Sequence, residues 1–224
     1  MSFAMQFFLF LITSFSVASA EASVTLGGTR LIYDGSVREA SISVSNGQKA
    51  VPHLIQSWVE VDGEPSAKAP FIVTPPLFRL DGGRENTLRV IYNAGVPLPD
   101  NRESVFWLNV KSIPAVEKSE QNRLLIAVKT RIKLFYRPAT LNTDAAASAW
   151  KQLTFKRNGN QLTISNPTPY YVSLYSLKSG SQEIKNPPMI APSGSAVVTG
   201  AGGRVSWKAI NDYGGITEEA HQTL

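Results

Sequence analysis

The chain has 224 residues, a formal net charge of +5, no cysteine and two histidines. That length buries a proper core without metals or disulfides, and the missing cysteine excludes thiol chemistry and zinc–thiolate sites. The basic excess is spread among 17 acidic residues, which argues against a nucleic-acid surface.

Phe7 to Val17 is an apolar run followed by the small residues Ala18-Ser19-Ala20. Residues 1–20 therefore read as a signal peptide cleaved before Glu21, although Met1 to Gln6 holds no lysine or arginine. A membrane span is the alternative, but the run is too short and no second apolar stretch approaches about 18 residues. An exported, soluble mature protein is expected.

Beyond the signal peptide the chain is a succession of short strand patterns. Ser23 to Tyr33 ends at Asp34-Gly35, and Ala40, Ile42 and Val44 alternate with serines up to Asn46-Gly47. Val51 to Val61 leads into Asp62-Gly63-Glu64-Pro65. Pro70 to Leu80 contains Pro75-Pro76, which forbids a central ladder and is a candidate for a cis bond. Asp81-Gly82-Gly83 then turns into Asn86 to Tyr92, and Leu98 to Pro114 is a further strand pattern.

The stretch Gln121 to Pro138 is the longest strand pattern. One face reads Leu124, Ile126, Val128, Thr130, Ile132 and Leu134; the other carries Lys129, Arg131 and Lys133 with no acid between them. It is either a core strand of a β-sandwich or an edge strand that lends its backbone and apolar side chains to another chain. Periodicity does not choose between the two.

Seven strands over roughly 115 residues is the count of an immunoglobulin-like sandwich. Pro138 to Ser148 has linker composition, with a helical turn expected near Ala145 to Ala147. A second β-pattern starts at Trp150, with the hairpin signal Asn158-Gly159 and further strands at Tyr171 to Leu177, Ser195 to Thr199 and Val205 to Ile210. The predicted organisation is a signal peptide over 1–20, one sandwich over 21–138, a linker over 139–149 and a second sandwich over 150–224.

Motifs for chemistry are sparse. His53 and His221 are far apart and read as packing or surface residues. Neither a nucleophile elbow nor a phosphate-binding glycine loop is present, and Asp81-Gly82-Gly83-Arg84 reads as a hairpin turn. The residue inventory favours a binding protein over an enzyme, with no cofactor, metal or small-molecule substrate.

At Leu98 to Pro114, Thr130-Arg131-Ile132-Lys133-Leu134-Phe135-Tyr136-Arg137-Pro138 and Ile210-Asn211-Asp212-Tyr213-Gly214-Gly215, the chain resembles the periplasmic pilus chaperones of the chaperone-usher pathway. Thr29 to Tyr33, Thr74 to Leu80 and Asn166 to Tyr170 extend the likeness over about Val24 to Gly215. The resemblance implies an all-β fold of two immunoglobulin-like domains in an L shape. It implies that Arg30 and Lys133 anchor the C-terminal carboxylate of a pilus subunit, and that Leu124, Ile126 and Val128 complete the subunit's open sandwich by donor-strand complementation. It also implies an ion-pair network between the domains at Glu103, Arg137 and Asp212, and a further basic position at Arg89. Expected partners are pilus subunits in one-to-one complexes and an outer-membrane usher, with self-association of the free protein as a way to cover the donor strand. The brief Ser112 to Gln121 loop matches the short-loop branch. Lacking the domain-two disulfide of some relatives, and with a short tail after Gly215, the second domain is expected to be less tightly closed. The alternative reading is a secreted two-domain adhesin or structural fibre component.

Strict alternation leaves one open question. It places Lys133 on the face opposite the donor residues, and the sequence carries no register that reconciles the two roles.

Overall fold

The computed structural model describes residues 24–49, 51–115, 124–200 and 202–224. The expected signal peptide over 1–20 and most of the Ser112 to Gln121 loop lie outside the described residues. Two β-sandwiches account for nearly everything described, each around its own core.

In the first sandwich, one sheet runs β1 (Val24–Leu26), β3 (Ala40–Asn46), β8 (Glu85–Tyr92) and β6 (Phe71–Thr74). The other runs β2 (Arg30–Asp34), β10 (Val128–Arg137), β9 (Ser104–Pro114), β4 (His53–Val61) and β5 (Glu64–Lys68), with β7 (Leu77–Leu80) also on β4. Alternate residues face inward, so Val44, Leu88 and Val90 from one sheet meet Ile55, Leu108 and Leu134 from the other with no side chain left accessible.

Twice the chain crosses between these sheets where the sequence pattern continues a single strand. Ser23 to Tyr33 divides at Gly27-Gly28: β1 pairs with β3, whereas β2 pairs parallel to β10. Gly27 lets β1 approach β3 closely, since a Cβ there would meet Ser43 Oγ and oblige that side chain to turn away. The second crossing is at Pro75-Pro76, between β6 and β7, where the Thr74–Pro75 bond is cis. Tyr33, Phe71, Tyr92, Phe106 and Tyr136 stack ring against ring at one end of the core.

The long strand is shorter than its pattern. Residues 124–127 have no ladder partner, and pairing starts at Val128 opposite Ser112. Continuing the register would set Ile126 against Pro114, which has no N–H to donate. Leu98 to Glu103 is likewise irregular rather than strand.

Helix α1 (Thr143–Ser148) connects the halves, with Asn142 as its N-cap accepting from the N–H groups of Asp144 and Ala145. This stretch is not free chain, because Leu141, Ala145 and Ala146 pack on the second core beside Ala149 and Trp150.

In the second sandwich, β11 (Thr154–Asn158), β12 (Gln161–Ser165) and β16 (Ser195–Thr199) form one sheet. The other contains β13 (Val172–Ser179), β14 (Gln182–Glu183), β15 (Met189–Ile190), β17 (Arg204–Ala209) and β18 (Ala220–Thr223). The brief tail does not leave this domain loosely closed, as its length suggests, but forms β18 along β17. From it the Gln222 side chain reaches the opposite sheet, accepting from Phe155 N–H at 3.2 Å and donating to Phe155 C=O at 3.0 Å. That amide imitates one ladder step and joins the two sheets without a covalent link.

Candidate functional site

Because β2 and β10 are parallel neighbours in register Arg30↔Lys133, two cations more than a hundred residues apart in sequence lie side by side on one face. Arg30 donates from Nη1 to the Ile210 carbonyl at 3.1 Å, and its guanidinium stands 5.5 Å from the Phe135 ring centre. Its Nε is buried with no hydrogen-bond partner among the described residues. Lys133 Nζ lies 5.8 Å from the Trp107 ring centre.

Burial lowers the affinity of both groups for their proton. For Arg30 the charges of Asp212 and Glu103 oppose that effect; for Lys133 the neighbouring Arg30 adds to it and Asp62 opposes. Among the described residues neither cation has a carboxylate within ion-pair distance. A half-buried guanidinium beside a half-buried ammonium, both short of negative charge, is suited to an anion, and the fork-plus-point-charge geometry fits a carboxylate.

On the same β10, the apolar face divides by depth. Ile132 and Leu134 are 7% and 0% exposed in the core, whereas Leu124, Ile126 and Val128 are 87%, 64% and 48% exposed. Leu125 is exposed between them. Residues 124–127 are therefore an exposed apolar segment with an unpaired backbone, and Val128, where the strand begins, is paired to β9 alone.

Pairing of β10 with β9 is continuous from Val128↔Ser112 to Tyr136↔Ser104, with no bulge. Strict alternation therefore holds, and Val128 and Lys133 do leave opposite faces. No twist in register separates the two sets of side chains: Leu124, Ile126 and Val128 lie at and before the start of the strand, whereas Lys133 lies on the face shared with Arg30.

That outer face also holds something the sequence concealed. Glu60 of β4 receives Lys129 Nζ at 3.1 Å, Arg131 Nη2 at 3.7 Å and the Trp58 Nε1–H at 2.8 Å. Lys129 lies 5.0 Å from the Trp58 ring centre and Arg131 lies 4.1 Å from that of Trp107. The three cations of the strand thus do have an acid among them, supplied by another strand. Two are compensated by Glu60, and Lys133 is left toward Arg30.

Glu103, Arg137 and Asp212 come together where the sandwiches meet. Arg137 Nε donates to Glu103 Oε1 at 2.7 Å, and its two terminal nitrogens donate to the Asp212 carboxylate at 2.9 and 3.2 Å. Only the second pair spans the two sandwiches. Glu103 crosses by another route, accepting from Tyr171 N–H at 2.8 Å through its side chain and donating its own N–H to Pro169 C=O at 2.9 Å. Burial raises the Glu103 carboxyl above its ordinary value, and Arg137 and the Tyr171 N–H pull it back.

Arg89 is not part of this cluster. It sits on β8 in the opposite sheet, largely exposed, 3.8 Å from Glu39. His53 is buried with Nδ1 3.2 Å from the Val51 carbonyl, and His221 is exposed on β18. Among the described residues no helix is long and apolar enough to cross a membrane.

Known proteins resemble this chain in sequence and in fold. Residues 23–142 match the pili and flagellar-assembly chaperone, PapD N-terminal domain, and residues 148–221 match the pili assembly chaperone PapD, C-terminal domain. The Escherichia coli K12 chaperone protein FimC is 44% identical over 204 residues, covering 88% of this chain and 83% of FimC. Bordetella pertussis chaperone protein FimB/FhaD is 41% identical over 216 residues, covering 89% and 87%. Among solved structures, the E. coli chaperone DraB superposes with a TM-score of 0.78 at 38% identity, covering 90% of this chain and 96% of that one. A chain in the complex of the Salmonella enterica SafA pilin with the SafB chaperone gives 0.80 at 33% identity, covering 92% and 99%. Two domain families matched end to end, and relatives above 40% identity along most of their length, place this chain in the pili assembly chaperone family.

Proposed function

We propose that this protein captures pilus subunits in the periplasm by donor-strand complementation, caps them in one-to-one complexes and passes them to an outer-membrane usher. The observation that carries the reading is the exposed apolar run 124–128, which leads directly into the strand that sets Lys133 beside Arg30. Leu124, Ile126 and Val128 enter the subunit's open groove while the segment's free backbone groups pair with the subunit's strands. Burying three such side chains contributes at most roughly 5 to 9 kcal/mol before ordering costs. Arg30 and Lys133 hold the subunit's terminal carboxylate and thereby fix which groove residue meets which donor.

In this reading the activity is binding alone, without cofactor or catalytic step, and the folding energy of the subunit drives its capture. Residues 1–20 direct export, residues 21–138 carry the donor strand and both anchors, and 150–224 form the other wall of the cleft across the 139–149 connection. The related SafB occurs in complex with a pilin, which supports a pilin as the occupant. Before capture, pairing of two open edges gives the free protein a route to self-association.

The test is periplasmic co-expression with pilin-like subunits encoded beside this gene, followed by pull-down with wild-type, Arg30→Ala and Lys133→Ala chains. Stable one-to-one complexes with wild type, lost in both folded variants, are the expected result. Wild-type yields from folded Lys133→Ala would remove the anchor assignment.

A further inference from the structure

The loop Asn211 to Gly215 does something that neither the donor strand nor the carboxylate anchor accounts for. It is fixed at nearly every residue. The Asn211 side-chain carbonyl accepts from Tyr213 N–H at 3.0 Å and from Gly215 N–H at 2.8 Å. Gly214 N–H donates to Asn211 C=O at 3.0 Å, and Asn211 N–H to Gly215 C=O at 2.8 Å. Asp212 is held bidentately by Arg137. Gly214 has φ +82° and packs so closely on Thr29 that a Cβ would stand 2.5 Å from Thr29 Oγ1. Yet Tyr213, at the centre of this pinned loop, is 96% exposed.

A loop this constrained, holding a whole aromatic ring in water, is preorganised for contact. Tyrosine provides a large, two-torsion surface that loses little entropy on binding, and such residues dominate interface energetics. The loop's neighbours name the occupant. Ile210, immediately before the loop, holds Arg30 through its carbonyl, and Thr29, against which Gly214 packs, immediately precedes Arg30. The loop that presents Tyr213 is therefore built into the surroundings of Arg30.

We propose that Tyr213 is a second, domain-two contact for the captured pilus subunit, its ring packing on the subunit surface next to the anchored C-terminus. This rests on the capture reading above. It assigns the second domain a direct share in holding the subunit, beyond forming a wall of the cleft. Because the ring is almost wholly exposed in the free protein, its removal leaves the fold intact and the effect falls on the complex alone.

The experiment purifies one-to-one complexes of a pilin-like subunit with wild-type, Tyr213→Ala and Tyr213→Phe chains, and adds excess tagged wild-type protein. The rate at which the subunit moves to the tagged chain is followed, with thermal melting of each free protein and pull-down of Arg30→Ala alongside. Tyr213→Ala is expected to lose its subunit about ten-fold faster at unchanged melting temperature, and Tyr213→Phe to behave close to wild type. If Tyr213→Ala exchanges at the wild-type rate while Arg30→Ala captures nothing, the capture reading stands and this contact is refuted. If the folded wild-type chain captures no subunit, both are overturned. Phenylalanine as poor as alanine would refute ring packing as the contact.

Discussion

Arg137 is the side chain on which both sandwiches converge, and its partners differ in what they lose without it. Glu103 is buried, so Arg137→Ala leaves a carboxylate whose remaining support is the Tyr171 N–H. Removing one member of a buried pair costs about 3 to 5 kcal/mol, so urea unfolding at pH 7 is expected to show a loss of that order. Asp212 lies nearer solvent, and Asp212→Asn is expected to cost about 1 kcal/mol. The pH dependence distinguishes the mechanism. Burial already raises Glu103, and without the guanidinium it rises further above its unfolded value of about 4.3. A carboxyl raised in the folded state favours folding below its unfolded value and loses that favour as pH climbs through the folded one. The Arg137→Ala deficit is therefore expected to shrink as pH is lowered toward 4, and a deficit independent of pH would contradict a buried-charge cause. At this scale, spacing in the sequence is silent: residues 30 and 133, or 103, 137 and 212, are neighbours only after the sheets form. Family resemblance alone names them from sequence. Glu60 is hidden because its cationic partners are on another strand, and no local pattern pairs an acid on β4 with cations on β10.

Along β10 and the segment that leads into it, the apolar face is buried at one end and exposed at the other, and the two ends are expected to respond differently to substitution. Ile132→Ala opens the core of the first sandwich and is expected to cost about 2 to 5 kcal/mol in urea unfolding. Ile126→Ser changes a side chain that is largely exposed in the free protein; stability should stay within about 0.5 kcal/mol while subunit pull-down is lost. Destabilisation by Ile126→Ser of the size seen for Ile132→Ala would mean that segment 124–127 is packed in the free chain. On the opposite face, the Trp58 hydrogen bond, with Lys129 and Arg131, holds the Glu60 carboxyl below its ordinary value. A depressed carboxyl contributes stability that is present above the unfolded value and disappears as pH falls toward the folded one. Glu60→Gln is expected to be less stable than wild type by about 0.5 to 1.5 kcal/mol at pH 7, with the difference vanishing well below pH 4. Periodicity gives the faces of this strand correctly, since pairing through Tyr136 has no bulge. It does not give the strand's start, because alternation continues through 124–127 where no neighbour offers a ladder. The crossing at Gly27-Gly28 is hidden for the converse reason, since both halves alternate properly but in different sheets, whereas Pro75-Pro76 marks a break in the ladder without telling that the chain changes sheet there.

For the whole molecule the question is whether the two sandwiches act as one body. Interfaces between domains ordinarily permit movement unless something specific prevents it. Here the junction is tied at several levels: Arg137 to Asp212, Glu103 to Tyr171 and Pro169, Arg30 to the Ile210 carbonyl, and the Phe135 ring 5.7 Å from that of Tyr171. The anchor therefore depends on the junction, since the carbonyl that orients Arg30 belongs to the second sandwich while Lys133 belongs to the first. Coupling of this kind predicts a single calorimetric transition for the intact chain. Asp212→Asn removes a cross-domain ion pair without stranding a buried charge, because Arg137 keeps Glu103. It is expected to resolve the endotherm into two transitions and to weaken subunit capture by more than its small stability loss explains. An endotherm superimposable on wild type would show that the remaining contacts suffice to hold the cleft, and would shift the role of Asp212 from fixing the angle to positioning the Tyr213 loop.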